Sequence, residues 1–523
     1  MSNIWEASFF LFILWTLRIF WIRLQRQRWD IQRLPVAPLK HSWLWGHELE
    51  IFRRQACEMH TKWVVSMGPM YRVKAALFQS DIIVVNDTTA VQHIFQSAYN
   101  YVKAPAFLPM IERLIGHGIV CAEGEEHKHQ RRLLAPAFTS SAVKAMSDDI
   151  FVCVDKMSHK LRATVNSTTN EKDTIVDIAP LLSACTLDII GRVAFGHDFG
   201  GGESPEAKEI AAAWHEDVLL AHTFVGFLAP RLINLFPWIT SLPILPGESV
   251  SKQIVDRIGG KLLRDSQLDS SGTDILSLLV KDNQKKGRSE VRLSDTKLLD
   301  NITTFMMVGH ETSGASLVFT LFELARNPTI QHRLRQEVQT VGYLDYDSIQ
   351  QLEYLDSVVK EGLRLYPALP LTERVALQDD VIPLGSPLET TDGNLLFSLS
   401  VKAGQVFHIP LTAINVNPQI WGENAAEFVP ERWIEPGGIP STEKLPRGPW
   451  AEFTTFSDGP RSCIGYRLAV SELKIIIAVL VRSFELEDIG VKVEQYMLPT
   501  LQSFANGKAA SMPLKVSLIS EQH

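Results

Sequence analysis

The 523-residue chain is poor in cysteine and has no excess of positive charge. Its five cysteines, Cys57, Cys121, Cys153, Cys185 and Cys463, are odd in number and scattered, without a C-x-x-C pair. That argues against a disulfide framework and a structural zinc site, and puts the bulk of the chain in a reducing compartment. Lys and Arg total 51 against 59 Asp and Glu, for a formal charge of -8. A broadly basic nucleic-acid-binding domain is therefore disfavoured, although a local basic patch for a protein partner stays open. There is no internal repeat, no low-complexity tract and no G-x-G-x-x-G nucleotide loop. No linker divides Leu39 to His523, so residues 39–523 read as one large domain.

Hydrophobic residues make up 46% of the chain, enough for a large core. The longest apolar run, Ile4 to Ile22, would span about 28 Å as a helix, close to the thickness of a bilayer core. Arg23, Arg26, Arg28 and Arg33 follow it and no Lys or Arg precedes it, so the positive-inside bias predicts an uncleaved single-pass anchor with the rest of the chain in the cytosol. Residues 23–38, basic and containing Pro35 and Pro38, read as a stiff hinge between anchor and domain.

Beyond the hinge the pattern is mainly helical with small strand-rich inserts. Tyr71 to Val73 and Ile82 to Val85 predict strands; Ala184 to Ala194, Leu298 to Leu324, Ile330 to Thr340, Leu352 to Leu365 and Leu468 to Val481 predict helices. The polar stretch Lys281 to Arg288 predicts an exposed loop.

Chemistry concentrates in Phe456-Ser457-Asp458-Gly459-Pro460-Arg461-Ser462-Cys463-Ile464-Gly465, a glycine-bearing loop that delivers one cysteine to the start of an apolar helix. Backbone N-H groups of such a turn, aided by Arg461, would stabilise a thiolate, and Gly459 and Gly465 let the backbone approach a flat ligand. Upstream, Glu361 and Arg364 share a helix face at i, i+3, followed by Phe428-Val429-Pro430-Glu431-Arg432-Trp433. Val308-Gly309-His310-Glu311-Thr312-Ser313 sets an acid beside a hydroxyl inside an apolar helix, where a glycine costs about 1 kcal/mol relative to alanine. Structural filler explains that pattern poorly.

The F-x-x-G-x-R-x-C-x-G pattern, satisfied at every fixed position, resembles the haem-binding signature of the cytochrome P450 family, and the resemblance runs from roughly Leu34 to Val516. It implies a mainly α (α+β) fold with a large helical lobe, a smaller β-rich lobe and haem b between them. Cys463 is then the axial iron ligand, with Phe456 packed beside it and Arg461 and Arg374 on the haem propionates. Glu361, Arg364 and Arg432 match a structural triad that locks the ligand loop. Thr312 matches the hydroxyl that hydrogen-bonds dioxygen or a water above the iron, and Glu311 an acid that relays protons. Val308 departs from the small residue usual in that motif and narrows the pocket over the haem. Where the family shows W-x-x-x-R, Arg131 keeps the arginine but His127 stands at the tryptophan position; a histidine still donates to a carboxylate.

The implied activity is monooxygenation with electrons from NADPH through a separate cytochrome P450 reductase, with cytochrome b5 left open as a second donor and the endoplasmic reticulum as location. The docking face expected behind Cys463 draws on Lys128, Arg131, Arg132 and Arg467. By analogy the substrate pocket uses Phe107, Leu108, Met110, Phe224, Phe305, Leu369, Leu371 and Phe504, which implies a hydrophobic molecule without a strongly charged end. The motifs resemble fungal members that tailor terpenoids, polyketides or alkaloids; fatty-acid or xenobiotic hydroxylation is the nearest alternative. A reductase-independent isomerase or dehydratase is disfavoured by the intact Glu311-Thr312 pair.

Overall fold

Ser294 caps the longest helix, Asp295–Arg326, by accepting from the Lys297 amide at 3.2 Å, while Asp295 and Arg326 sit at the ends the helix dipole favours. Its 32 residues run about 48 Å through the interior, and most of them are buried. In this computed structural model the described residues are 30–104, 107–167, 174–236, 238–239, 248–268, 274–285, 293–440 and 445–519. The expected anchor, 4–22, and the first part of the hinge lie outside them.

Helix Ile178–Phe195 packs across the middle of the long helix. Gly309 is the reason for the close approach: a Cβ there would stand 2.7 Å from the Ile190 side chain. Thr186 adds a hydrogen bond to the His310 carbonyl at 3.0 Å. Ile178–Phe195 is also long and apolar enough to cross a membrane, but 72% of it is buried in the protein, as befits a core helix. Helices Glu353–Leu365 and Tyr466–Ser483 pack on the other side of the long helix.

Among the described residues the strands are fewer and fall into four sheets. The largest sheet has five strands, in the order Met70–Val73, Ile82–Val85, Val406–Ile409, Thr372–Ala376 and Tyr101–Lys103. Only the second and third pair in parallel. Its outer register sets Lys103 opposite Arg374, bringing together two cations distant in sequence. Among the described residues three smaller sheets follow, one of them made of strands Val493–Met497, Leu501–Ala505 and Lys508–Ala509.

The predicted strands and long helices all form, and two expectations change. Helix Ile275–Lys285 continues into the polar stretch expected to be a loop from Lys281, and residues 286–292 lie outside the described ones. The latter part of the hinge is docked rather than free. Ala37 donates to the Arg72 carbonyl at 3.0 Å, the Arg72 amide donates to Pro35 at 2.9 Å, and the Arg72 guanidinium holds the carbonyls of Leu34 and Gln32. Leu34 is fully buried.

Candidate active site

Glu361 is the point from which the site is built. It is wholly buried and accepts from Arg364 at 2.7 and 2.8 Å, Arg432 at 3.4 Å, the Val429 amide at 3.0 Å and the Trp433 indole at 2.9 Å. The two arginines reach backbone: Arg364 donates to the carbonyls of Asn415, Ala425 and Glu427, and Arg432 to those of Trp421 and Asn424. Asn415 passes the connection on. Its amide donates to the Arg364 carbonyl at 3.0 Å and to Thr455 at 3.2 Å, and its carbonyl oxygen accepts from Thr454 at 3.1 Å. Thr455 also donates to the Leu363 carbonyl at 2.7 Å. These threonines open the cysteine loop, so the Glu361, Arg364 and Arg432 group holds that loop through three hydrogen-bonded steps.

Within the loop the Cys463 amide donates to the Phe456 carbonyl at 2.8 Å, and Phe456 is buried beside it. Gly459 has φ +69, and a Cβ there would lie 2.4 Å from the Phe95 carbonyl oxygen, so the glycine lets the loop cross the helix Thr88–Gln96. Gly465 does face the interior. Cys463 is exposed where the other four cysteines are buried, and the surface it keeps opens into a cavity of about 300 Å³. Desolvation raises its pKa; the Gly465 amide and Arg131 act the other way. Arg461, expected to help the thiolate, instead donates to the Ala122 carbonyl at 2.8 Å and pairs with Glu123. The neighbouring cation is Arg131, which holds Ser462 by its carbonyl at 2.6 Å and its hydroxyl at 3.2 Å.

One end of the cavity is ringed by basic groups. Lys103, His127, Arg131, Arg374 and Arg461 all line it. Desolvation pushes Lys103 down to about 7, with Arg374 and Arg461 adding to the effect. It pushes Arg374 down to about 10 and His127 to about 3, again helped by Arg461. His127 is held by the Tyr99 hydroxyl at 3.1 Å. Among the described residues Glu123 pairs with Arg461 and Glu373 acts on Arg374, and the buried Arg461 Nε has no partner. Such a cluster is costly without anions and suits a ligand with acidic arms. The rest of the wall is apolar: Ile119, Val120, Phe138, Ile190, Phe305, Val308, Leu369 and Leu468. Haem fits this donor set, because its propionates match the cations, its ring matches the apolar walls and its iron accepts a thiolate.

Thr312 lines the same cavity, its hydroxyl donating to the Val308 carbonyl at 2.8 Å, one turn back. Glu311 faces away from it. It lines a second cavity, of about 410 Å³, between the long helix, Ile178–Phe195, Pro205–Ala221 and Leu501–Ala505. The acid and the hydroxyl therefore face different cavities from adjacent faces of one helix.

Of the apolar residues expected around substrate, Phe305 and Leu369 line the cysteine cavity. Phe224 is exposed and packs on Trp45 and Phe227, Phe107 is exposed, and Phe504 packs on His222 and Tyr496. Arg131 turns inward, whereas Lys128, Arg132 and Arg467 are exposed.

Two residues escape the sequence reading. Lys103 has no motif around it and reaches the cluster through strand pairing. Glu472, on helix Tyr466–Ser483, also lines the cavity; burial raises its carboxyl to about 8, and Ser313 donates to it. An acid inside the apolar run Leu468 to Val481 is the available signal.

The cytochrome P450 family model matches residues 36–508. Cytochrome P450 monooxygenase claQ of Ampulloclitocybe clavipes is 30% identical over 98% of this chain and 98% of its own length. Cytochrome P450 monooxygenase claP of the same fungus is 30% identical over 88% of each chain. Cytochrome P450 monooxygenase 128 of Postia placenta is 31% identical over 93% of this chain and 92% of its own.

Proposed function

From the premise that the chain belongs to the cytochrome P450 family and is a monooxygenase, we propose that it oxidises a hydrophobic small molecule in fungal secondary metabolism, of terpenoid, polyketide or alkaloid type. The observation that carries the reading is the cavity that joins the Cys463 thiol, a ring of buried cations and the Thr312 hydroxyl between apolar walls. Bound haem supplies activation of dioxygen with electrons from NADPH through a separate reductase. The residues supply the rest. Cys463 holds the iron through its thiolate, which its neighbours Arg131 and the Gly465 amide favour. Lys103, His127, Arg374 and Arg461 hold the propionates. Phe305, Val308 and Leu369 exclude water and orient an apolar substrate. Thr312 holds a proton at Oγ1, and Glu311 supplies protons from the neighbouring second cavity.

The apolar wall of Phe305, Val308 and Leu369 supports a hydrophobic substrate, and fatty-acid or xenobiotic hydroxylation is the second reading on the same ground. Residues 4–22 and the arginines after them support anchoring in the endoplasmic reticulum membrane with the domain in the cytosol. The test is expression in reductase-supplemented membranes: wild type gives the reduced-CO absorption band of a haem-thiolate protein and Cys463→Ala loses it. A retained band rejects the ligand assignment. Metabolite profiling of a deletion strain names the substrate by the precursor that accumulates, and an unchanged profile rejects the secondary-metabolism reading.

A further inference from the structure

Tyr99 stands in the turn between helix Thr88–Gln96 and strand Tyr101–Lys103. Contacts on three sides fix that turn. The Ser97 carbonyl accepts from the Asn100 and Tyr101 amides at 2.8 and 3.0 Å, the Asn100 carbonyl accepts from the Leu377 amide at 2.8 Å, and Gln96 donates to Asp458 of the cysteine loop at 2.9 Å. From there the Tyr99 hydroxyl reaches His127 Nδ1 at 3.1 Å and, among the described residues, bonds nothing else. Lys128 Nζ stands 4.7 Å from the centre of the Tyr99 ring and the Arg461 guanidinium 5.8 Å. Cations so placed stabilise negative charge drawn onto the phenol oxygen, which makes the hydroxyl a better donor.

His127, on helix Gly124–Leu134, is buried and lines the Cys463 cavity. Burial and the charges of Arg461, Lys103 and Arg131 hold its pKa down to about 3, so at neutral pH the ring has one hydrogen for two nitrogens. Where that hydrogen sits decides what the ring can hold. A histidine whose Nδ1 faces a backbone carbonyl, as His310 faces Met306 at 2.7 Å, is locked with the hydrogen on Nδ1 and shows a bare Nε2. A bare Nε2 repels a carboxylate. A hydroxyl can donate as well as accept, so with Tyr99 as partner the hydrogen is free to sit on Nε2, which bonds no other described residue. An anionic arm seated among Arg131, Arg374 and Arg461 draws it there, and Tyr99 then donates to Nδ1.

We propose that Tyr99 is a positioning residue for the cofactor: by donating to Nδ1 it fixes His127 as the tautomer whose Nε2–H meets a haem propionate. This rests on the haem-thiolate reading. An indole has a single N–H and no tautomer to choose, so a tryptophan at position 127 would need no such partner. A histidine there does, and Tyr99 supplies it.

The test uses the full-length holoprotein and two readouts. One is the rate of haem transfer to apomyoglobin; the other is the propionate bending band in the resonance Raman spectrum of the ferric protein, whose frequency rises with hydrogen bonding to the propionates. Tyr99→Phe keeps the ring beside Lys128 and Arg461 and removes only the hydroxyl. Haem transfer is expected to speed up about fivefold, the equivalent of one ordinary hydrogen bond at tenfold per 1.4 kcal/mol, and the propionate band to move to lower frequency. In a His127→Trp background, adding Tyr99→Phe is expected to change neither rate nor band. Should His127→Trp not accumulate, His127→Phe takes its place, with the same absence of a further effect. Tyr99→Phe equal to wild type in both readouts overturns the proposal. Changes of the same size in both backgrounds overturn it too, since Tyr99 would then act through packing and not through His127. A wild type without the reduced-CO band overturns the haem-thiolate reading instead.

Discussion

Glu361→Gln is the perturbation whose cost the structure states most directly. The amide keeps the shape of the acid but removes its charge, and its nitrogen faces donors. Glu361 is wholly buried, and so are its partners Arg364 and Arg432. Five hydrogen bonds converge on its two oxygens, three of them from guanidinium groups. At least one guanidinium bond is lost, and two buried cations stay without a counter-charge. Removing one partner of a buried ion pair costs about 3–5 kcal/mol, a large share of the 5–15 kcal/mol typical of a folded protein. At about 2.1 cal/mol/K of unfolding entropy per residue a domain of this size shifts by about 1 °C per kcal/mol, so the melting temperature falls by roughly 3–5 °C. Because Asn415, Thr454 and Thr455 connect this group to the cysteine loop, haem retention falls with it. The assay is the ratio of haem absorbance to protein, followed through a thermal ramp, for wild type and variant. A variant that melts within a degree or so of wild type and holds its haem equally well would refute the assignment of the group as the anchor of the loop.

Lys103→Met is expected to speed haem transfer to an acceptor globin by about tenfold or more, since a charge-assisted hydrogen bond contributes about 1.5–3 kcal/mol; an unchanged rate removes Lys103 from the propionate ring. Glu472 gives a pH dependence with a definite sign. Its carboxyl is raised from 4.5 to about 8 in the folded protein, so between those values the unfolded chain ionises while the folded one does not. Wild type therefore loses stability as pH rises through that window, by up to about 1.4 kcal/mol per pH step of one, and Glu472→Gln does not. Melting temperatures measured across the window should diverge, and parallel curves would count against the buried acid. Thr312→Ala is expected to keep haem content while lowering product formed per NADPH consumed; unchanged coupling rejects its proton-holding role.

The parts legible in the sequence are those whose partners lie close along the chain. The cysteine loop, the Glu361-Arg364 pair and the capped long helix follow from local spacing, and strands such as Ile82–Val85 from composition. The hidden parts depend on pairings across the chain. Lys103 reaches the cation ring because its strand pairs with one some 270 residues later, its register partner being Arg374. Arg461, expected at the thiolate, meets Glu123 instead, a residue with no motif to flag it. Glu311 and Thr312 are neighbours in sequence, but one residue advances a helix by about 100°, enough to put them in different cavities. Gly309 looks too costly in a helix to be structural filler, yet close packing against Ile190 is what it allows.

The grip of Arg364 and Arg432 has a consequence for how this chain can vary. The atoms they hold between Asn415 and Glu427 include the main-chain oxygens of Asn415, Trp421, Ala425, Asn424 and Glu427. Every amino acid presents that oxygen. The segment leading to the cysteine loop is thus recognised by its path rather than by most of its side chains, and substitutions at Ala425 or Glu427 that keep the path leave the contact intact. An insertion or deletion there does not. Selection on the haem site is in this stretch a constraint on chain length and curvature, within which the spelling is free to drift.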